Sequence, residues 1–429
     1  MDRNKVREPV PRHYEQGVQV PLWRGDGRVH EVLFRRLVPD IPSTTYATFG
    51  LYRYPAKFIP QVIAYILRTY ARPGMTVFDP FAGYGTAGLV ARVHGCPYIL
   101  WDLNPLLPDF HRVATMAPPN LDVRTVIQAV QTYKGPAFLP EWSHLRYWHP
   151  PEFLEILGKS WGYYHSLPEG DEKLALLIPL LKVTRYFSYD DERVHKLYRS
   201  KRAVEKVQRL LAEDWRSVFY EMLAKGMTHV ITKVREYHSL SPRDVGAVVE
   251  GGVDTFSREL GTDVDVLVTS PPYLQAQEYI RTIKMDLFWM GFSEGFVKQL
   301  AQQEIPYKNV PPCSVLSPTY RQLCKAIQEE NLRRLYERYF WGVLGALTRL
   351  QRNVRSYMFL FVGAATLRLY PVPIDVIFAE HFSALGWVHE MTLADTIVGR
   401  VMFRPSANPA TGLRNERIKK EHLVILRRG

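Results

Sequence analysis

The feature that most constrains the fold is a strand, a glycine-bearing turn and a helix that follow one another near residue 80. The apolar run Met75–Phe78 predicts a buried strand, and Ala87–Val93 predicts a helix after the turn. A second apolar run, Tyr98–Trp101, predicts the next strand and ends at Asp102. This arrangement is one βαβ unit, which predicts an α/β fold with a parallel sheet.

The turn itself, residues 79–88, reads DPFAGYGTAG. Glycines let the backbone adopt positive φ and let a ligand approach it closely. The three glycines also satisfy G-x-G-x-x-G, and Asp102 lies where a ribose-binding carboxylate is expected, so a dinucleotide-binding dehydrogenase is one alternative. A tight turn without a ligand is another. Asp79 and Phe81 disfavour a dehydrogenase. A carboxylate just ahead of the glycines suits a cationic amino group better than it suits the pyrophosphate of a dinucleotide.

A second motif, Ser270-Pro271-Pro272-Tyr273, closes the predicted strand Val264–Thr269. Ligands of open α/β folds bind at the carboxyl edge of the sheet, where this turn should lie. Two prolines fix φ and remove two backbone donors, which leaves nearby carbonyls free to accept hydrogen bonds. Ser270 Oγ and the Pro271 carbonyl could accept the two hydrogens of the exocyclic amino group of a nucleobase. Tyr273 could stack on the ring of the same base. Taken alone, the tetrapeptide is also compatible with a plain proline-rich loop.

The rest of the chain divides by its apolar rhythm. The strand pattern stops after Asn104-Pro105, and a mainly helical stretch follows before strands resume with Ala247–Glu250. The predicted units are an N-terminal arm (1–40), a first catalytic part (41–105), a helical insertion (106–240) and a second catalytic part (241–429).

The chain is basic, with 55 Lys and Arg against 43 Asp and Glu, a net charge of +12 and a pI near 9.4. This balance favours a polyanionic partner. The stretch Arg193–Leu211 predicts one amphipathic helix with a basic face that could neutralise phosphates, although a solvated surface helix gives the same pattern. Candidate phosphate-contacting residues are Lys196, Arg199, Arg202, Lys206, Arg209 and, shortly after the second motif, Arg281.

Several classes of protein are disfavoured. The longest apolar stretch, Tyr357–Leu367, is shorter than the ~20 residues that span a bilayer, and the N-terminus lacks the apolar core of a signal peptide. We therefore expect a cytoplasmic protein without a membrane partner. The three cysteines have no CxxC spacing, which argues against a zinc site and a disulfide framework.

At the two motifs, the sequence resembles the S-adenosylmethionine-dependent amino-methyltransferases that modify DNA at cytosine N4 or adenine N6. The segment Tyr52–Pro60 looks like the family's motif for the methionine part of the cofactor. Leu100–Pro105 resembles its ribose-binding strand end, and Gly252–Asp254 resembles the motif that borders the adenine. Asn408–Leu413 and the closing strand Glu421–Leu426 are similar to the end of cytosine-N4 members.

The resemblance implies a Rossmann-like class I methyltransferase sheet with a large, mainly helical insertion that serves as the target-recognition domain. It implies S-adenosylmethionine as cofactor and no metal. The cofactor-binding residues carried over from the motifs are Tyr54, Pro55, Lys57, Phe58, Asp79, Phe81, Ala82, Gly83, Gly85, Thr86, Asp102, Asn104 and Asp254.

The resemblance also implies the substrate and the partners. Family members with Ser at the position of Ser270 mostly modify cytosine N4, and Asp or Asn there mostly marks adenine N6. Double-stranded DNA with a flipped target base is the implied substrate, and a cognate restriction endonuclease is a candidate partner. The alternatives are an adenine-N6 enzyme, an RNA amino-methyltransferase and a catalytically inactive DNA-binding defence protein. The cofactor motifs precede SPPY here, whereas many SPPY enzymes have the reverse order.

Overall fold

A computed structural model describes residues 10–12, 20–22, 28–54, 58–194, 196–274, 278–396 and 420–429. The strands within these ranges are β1 (Val10–Arg12), β2 (Val20–Leu22), β3 (Val29–Val32), β4 (Val77–Asp79), β5 (Tyr98–Asp102), β6 (Ala247–Gly251), β7 (Val264–Thr269), β8 (Val354–Gly363), β9 (Ala365–Leu367), β10 (Tyr370–Val372), β11 (Trp387–Thr396) and β12 (Lys420–Arg428).

The α-helices of the same ranges are α1 (Phe34–Leu37), α2 (Pro60–Tyr70), α3 (Thr86–His94), α4 (Leu107–Thr115), α5 (Val123–Thr132), α6 (Leu145–Trp148), α7 (Pro151–Ser166), α8 (Asp171–Tyr186), α9 (Lys201–Leu211), α10 (Trp215–His238), α11 (Tyr279–Trp289), α12 (Glu294–Gln303), α13 (Pro318–Ala326), α14 (Glu330–Leu350) and α15 (Ile374–Ser383). Short 3₁₀ helices occupy Ala47–Gly50 and Gln351–Asn353. No helix in the described part of the chain is long and apolar enough to cross a bilayer.

Eight strands form one twisted sheet in the order β3-β11-β12-β8-β7-β4-β5-β6. The five strands from β8 to β6 run parallel to one another. β12 pairs antiparallel with both β8 and β11, and β3 adds a parallel edge strand to β11. The predicted fold class, a Rossmann-like α/β sheet with a large helical insertion, is confirmed.

The two faces of the sheet carry separate apolar cores. In β7, Val266 and Val268 face one core while Leu267 faces the other, as the two-residue period of a strand requires. The first core also contains α2, α3 and buried side chains of the insertion such as Trp161 and Phe219. The described helices of residues 106–240 therefore share their core with the catalytic sheet and do not enclose one of their own.

The predicted N-terminal arm differs from the structure in its last part. Residues 29–32 form β3 at the edge of the main sheet, and Phe34 is fully buried beside it. The Phe34 amide also donates to Asp395 in β11. A four-residue strand is too short for its alternation of apolar and polar residues to be recognised in the sequence. Its partner strand β11 also lies more than 350 residues away.

The predicted helix Arg193–Leu211 is wrong for the residues before Lys201. Helix α9 begins at Lys201, where Ser200 Oγ accepts the Ala203 amide at 3.1 Å. Ahead of it, Asp190 Oδ1 accepts the Tyr198 amide and Asp191 accepts from Ser200 Oγ. Asp191 Oδ1 also accepts the Arg193 amide, so two aspartates satisfy backbone groups of a loop where the charge spacing alone predicted a continuous helix.

Candidate functional site

The glycine turn connects β4 to α3 and requires glycine at two positions. Gly83 has φ of +57°, and a Cβ there would lie 2.9 Å from the Tyr54 ring. Gly85 has φ of +85° and caps the start of α3, where a Cβ would meet Leu107 at 3.2 Å. At Gly83 the missing side chain thus leaves room for the Tyr54 ring against the turn, and at Gly85 it allows close packing against α4.

Asp102, the last residue of β5, holds this turn in place. Its Oδ2 accepts the Gly83 amide at 2.7 Å, and its Oδ1 accepts the Asn104 amide at 2.8 Å and the Tyr54 hydroxyl at 3.4 Å. Burial raises the pKa of this carboxyl, and the amide hydrogen bonds act in the opposite direction. A carboxylate offers about four acceptor positions, so it can accept further hydrogen bonds from a ligand.

Asp79 joins the two motifs. Its Oδ1 accepts the Thr269 hydroxyl at 2.6 Å and the Phe81 amide at 3.1 Å, which connects the end of β4 to the end of β7. Burial raises the pKa of this carboxyl to about 7 in spite of both hydrogen bonds. The side chain is fully buried below the turns.

The SPPY turn presents its residues in different directions. Ser270 and Pro272 line a cavity above the carboxyl edge of the sheet, whereas Tyr273 is buried and donates from its hydroxyl to Glu421 in β12 at 2.6 Å. Its neighbour beyond the turn, Tyr279 at the start of α11, lines the cavity and stacks on Tyr54 with ring centroids 6.3 Å apart. Tyr279 therefore faces the cavity, whereas Tyr273, the ring predicted to stack there, does not line it.

We call this space the central cavity; its walls come from both motifs. The predicted residues that the structure brings together there are Tyr54, Phe58, Phe81, Ala82, Gly83, Asp102, Asn104, Asp254, Ser270 and Pro272. Five others pack around it without lining it: Asp79, Gly85, Thr86, Pro271 and Tyr273. Pro55 and Lys57 lie outside the described residues, as does the motif Asn408–Leu413.

Other lining residues were not predicted. Glu304 follows α12 and accepts the Ile280 amide at 2.8 Å, and burial raises the pKa of its carboxyl to about 7. Phe256 and Val253 contribute apolar surface near the end of β6. Beside them, Asp254 forms an ion pair with Lys308. The segment around Glu304 carries no motif, and only the fold brings it to this edge of the sheet.

The predicted DNA-contacting residues do not form one continuous face. Arg202 and Arg209 are exposed on α9, but Lys206 packs over Tyr186, and burial lowers the pKa of its ammonium group. Lys196 and Arg281 both pair with Glu278, at 3.0 and 3.1 Å. The Arg199 guanidinium lies over the rings of Tyr147 and Tyr189, 4.6 and 4.0 Å from their centroids. Lys196 and Arg199 thus sit near the end of α6 and the start of α11, apart from the exposed face of α9.

Comparisons with known proteins identify two methyltransferase relatives. The chain is 23% identical over 426 residues to the type II methyltransferase M.MvaI of Kocuria varians, covering 90% of this chain and 91% of the relative. It is 20% identical over 300 residues to the type II methyltransferase M.BsoBI of Geobacillus stearothermophilus, covering 64% and 59%. The chain therefore has type II methyltransferase homologues at low identity.

Comparisons with family models and with solved structures do not assign the chain to a family. No protein-family model matches the chain. Among solved structures, the rRNA methyltransferase aviRa of Streptomyces viridochromogenes aligns with a TM-score of 0.25 and 13% identity over 88% of each chain.

Proposed function

We propose that this protein is a DNA methyltransferase that transfers the methyl group of S-adenosylmethionine to cytosine N4. The observation that carries the proposal is that two motifs separated by some 180 residues meet at one cavity. Thr269 and Asp79 hold the two strand ends together at 2.6 Å, and Gly83, Asp102 and Ser270 line the same space. The type II methyltransferase relatives support the same reaction class.

The residues of the central cavity fit S-adenosylmethionine. Asp102 would accept hydrogen bonds from ribose hydroxyls, and the turn at Gly83 would let the methionine part approach the backbone. The aromatic rings of Phe81 and Phe256 offer an apolar wall for an adenine. Bound there, the cofactor supplies a sulfonium methyl group that is already activated for transfer.

The SPPY turn would orient the amino group that receives the methyl. Ser270 Oγ has no hydrogen-bond partner among the described residues, and so it can accept a hydrogen from the substrate. The Pro271 carbonyl would accept the second hydrogen and favour a lone pair directed at the methyl group. Because Tyr273 is engaged with Glu421, we assign base stacking to Tyr279 and a positioning role to Tyr273.

The choice of cytosine over adenine follows from Ser270, since the resemblance associates Ser at this position with N4 and Asp or Asn with N6. A base inside a duplex cannot reach the cavity, so the target nucleotide must flip out of the helix.

Nucleoside analysis of a plasmid tests the proposal. The protein is expressed in a host that lacks DNA methylation, and the plasmid is digested and separated by mass spectrometry. We expect N4-methylcytosine with the wild-type protein and none with Ser270→Ala. N6-methyladenine would overturn the assignment of cytosine, and a plasmid without any modified base would overturn the assignment of DNA.

A further inference from the structure

A second cavity of about 670 Å³ adjoins the central cavity and shares two residues with it, Ile280 and Glu304. The second cavity lies beside the start of α11, the helix that follows the SPPY turn in the sequence. Residues of α6 and α12 form its opposite wall. We call it the aromatic–cation groove and define it by Tyr147, Trp148, Arg281, Lys284, Lys298 and Tyr307. Its volume is within the range of ligand-binding pockets.

Two exposed tyrosine rings line the groove, and Tyr147 is supported by its neighbours. Tyr147 is 50% exposed and Tyr307 is 48% exposed, which is unusual for large side chains with apolar rings. Trp148 packs edge-on against Tyr147 at 5.2 Å, and Arg199 covers the Tyr147 ring at 4.6 Å. Supported, exposed aromatic rings form a platform on which unpaired bases can stack.

Three cations and three carboxylates line the groove, so the ligand that it favours depends on which of these charges are already paired. Lys284 and Lys298 form no ion pair within 4 Å among the described residues, so each can still pair with a phosphate. The three carboxylates all have partners: Glu278 pairs with Lys196 and Arg281, Glu294 accepts from Ser143, and Glu304 accepts the Ile280 amide.

The combination matches an unpaired nucleic-acid strand. Such strands are bound by aromatic rings that stack on bases and by cations that follow the phosphates. A second copy of this protein would need a larger apolar surface for binding. A single small anion would interact with the lysines but not with the aromatic rings.

We propose that the aromatic–cation groove binds the DNA strand that carries the flipped nucleotide. Lys284 and Lys298 neutralise its phosphates, Tyr147 and Tyr307 stack against the bases next to the flipped nucleotide, and Ile280, which lines both cavities, lies on the path to Ser270. The inference rests on the proposed function and extends it, because it locates the substrate strand on residues outside both motifs and largely outside α9.

Binding of a fluorescein-labelled DNA duplex with one central unpaired cytosine tests the groove, by fluorescence anisotropy at several salt concentrations. We expect Lys284→Ala/Lys298→Ala to weaken binding about tenfold and to reduce the slope of log K against log salt by about 1.5, since two phosphate contacts are lost. The matched control is Arg216→Ala/Lys225→Ala, which removes two exposed cations of α10 and should bind as the wild type does.

A second variant tests stacking separately from charge. Tyr307→Ala should weaken binding of the unpaired probe about tenfold and leave binding of the fully paired duplex within twofold of the wild type. Affinity for S-adenosylmethionine and the thermal unfolding midpoint are measured in parallel, and both should be unchanged.

Two results overturn the proposal in different ways. If the wild type methylates DNA but the groove variants bind with unchanged affinity and salt slope, the groove assignment fails and the proposed function stands. If the wild type binds neither DNA probe, both fail together.

Discussion

The central cavity and the aromatic–cation groove share a wall but are built differently. In the central cavity the carboxylate of Asp102 is buried and satisfied by backbone amides of its own and the neighbouring turn. In the groove, Tyr307 and Lys298 are exposed and have few fixed partners. Backbone geometry therefore shapes the central cavity, whereas individual side chains shape the groove.

The largest effect should come from Ser270→Ala, which removes a hydrogen-bond acceptor at the proposed reaction centre. We expect kcat to fall by about 10²–10³, the usual loss for one group that stabilises a transition state. Affinity for S-adenosylmethionine should not change, because Ser270 contacts the base in this account. Calorimetric titration and methyl-transfer kinetics measure the two quantities. Ser239→Ala, an exposed serine after α10, is the control. Full turnover in Ser270→Ala would remove Ser270 from the site.

Asp102→Ala should act on the cofactor. We expect weaker binding of S-adenosylmethionine by about 1.5–3 kcal/mol, roughly 10- to 150-fold, as is typical for hydrogen bonds to a charged group. Asp102→Asn keeps an oxygen for one of the two amides and should lose less. Equal affinity in Asp102→Ala and the wild type, measured by calorimetric titration, would show that Asp102 is not a cofactor ligand.

Gly83→Ala tests whether the backbone sets the central cavity. The positive φ should cost about 1–2 kcal/mol of unfolding free energy, and the new Cβ should displace the Tyr54 ring and weaken cofactor binding. Gly261→Ala is the matched control, because its Cβ would meet no atom within 4 Å. Denaturant unfolding compares the two. If Gly83→Ala is as stable as the control and binds cofactor equally well, the turn is less constrained than the structure indicates.

Glu304→Gln tests the wall shared by the two regions and should have the smallest effect. Burial raises the pKa of Glu304 to about 7 from an ordinary value of 4.5, and the charges of Glu278 and Asp102 add to this. Between these values the folded state holds a proton that the unfolded state has released, so stability falls as pH rises through this window. The variant cannot ionise and should avoid this fall.

At pH 8 we expect Glu304→Gln to exceed the wild type in unfolding free energy by on the order of 1 kcal/mol. The gain is limited because an amide accepts the Ile280 hydrogen bond less strongly than a carboxylate. Near pH 4 the two proteins should be equally stable. A constant difference at every pH, in thermal unfolding experiments, would contradict the raised pKa.

The sequence predicts the central cavity well because its signals are local. Gly83 stands in a turn flanked by a strand and a helix, and the carboxyl ends of parallel strands necessarily meet at one edge. Strand β7 is predicted from Val264 to Thr269, the same bounds as in the structure.

Where contacts are distant in sequence, the prediction fails. Edge strand β3 depends on pairing with β11, and Tyr273 turns from the cavity because Glu421 lies beside it on β12. The groove combines Tyr147 with Tyr307 across 160 positions. The loop before α9 depends on Asp190 and Asp191, because their carboxylates accept the amides of Tyr198 and Arg193 and outweigh the helical spacing of the charges.

Methyl transfer by the purified protein tests directly whether it methylates cytosine N4 in DNA and whether Ser270 is required. Duplex DNA is incubated with S-adenosylmethionine that carries a deuterated methyl group, and the nucleosides are analysed by mass spectrometry for the wild type and Ser270→Ala. The account predicts deuterated N4-methylcytosine from the wild type and at most a trace from the variant. Label in adenine, no label in the DNA, or equal labelling by both proteins would contradict it.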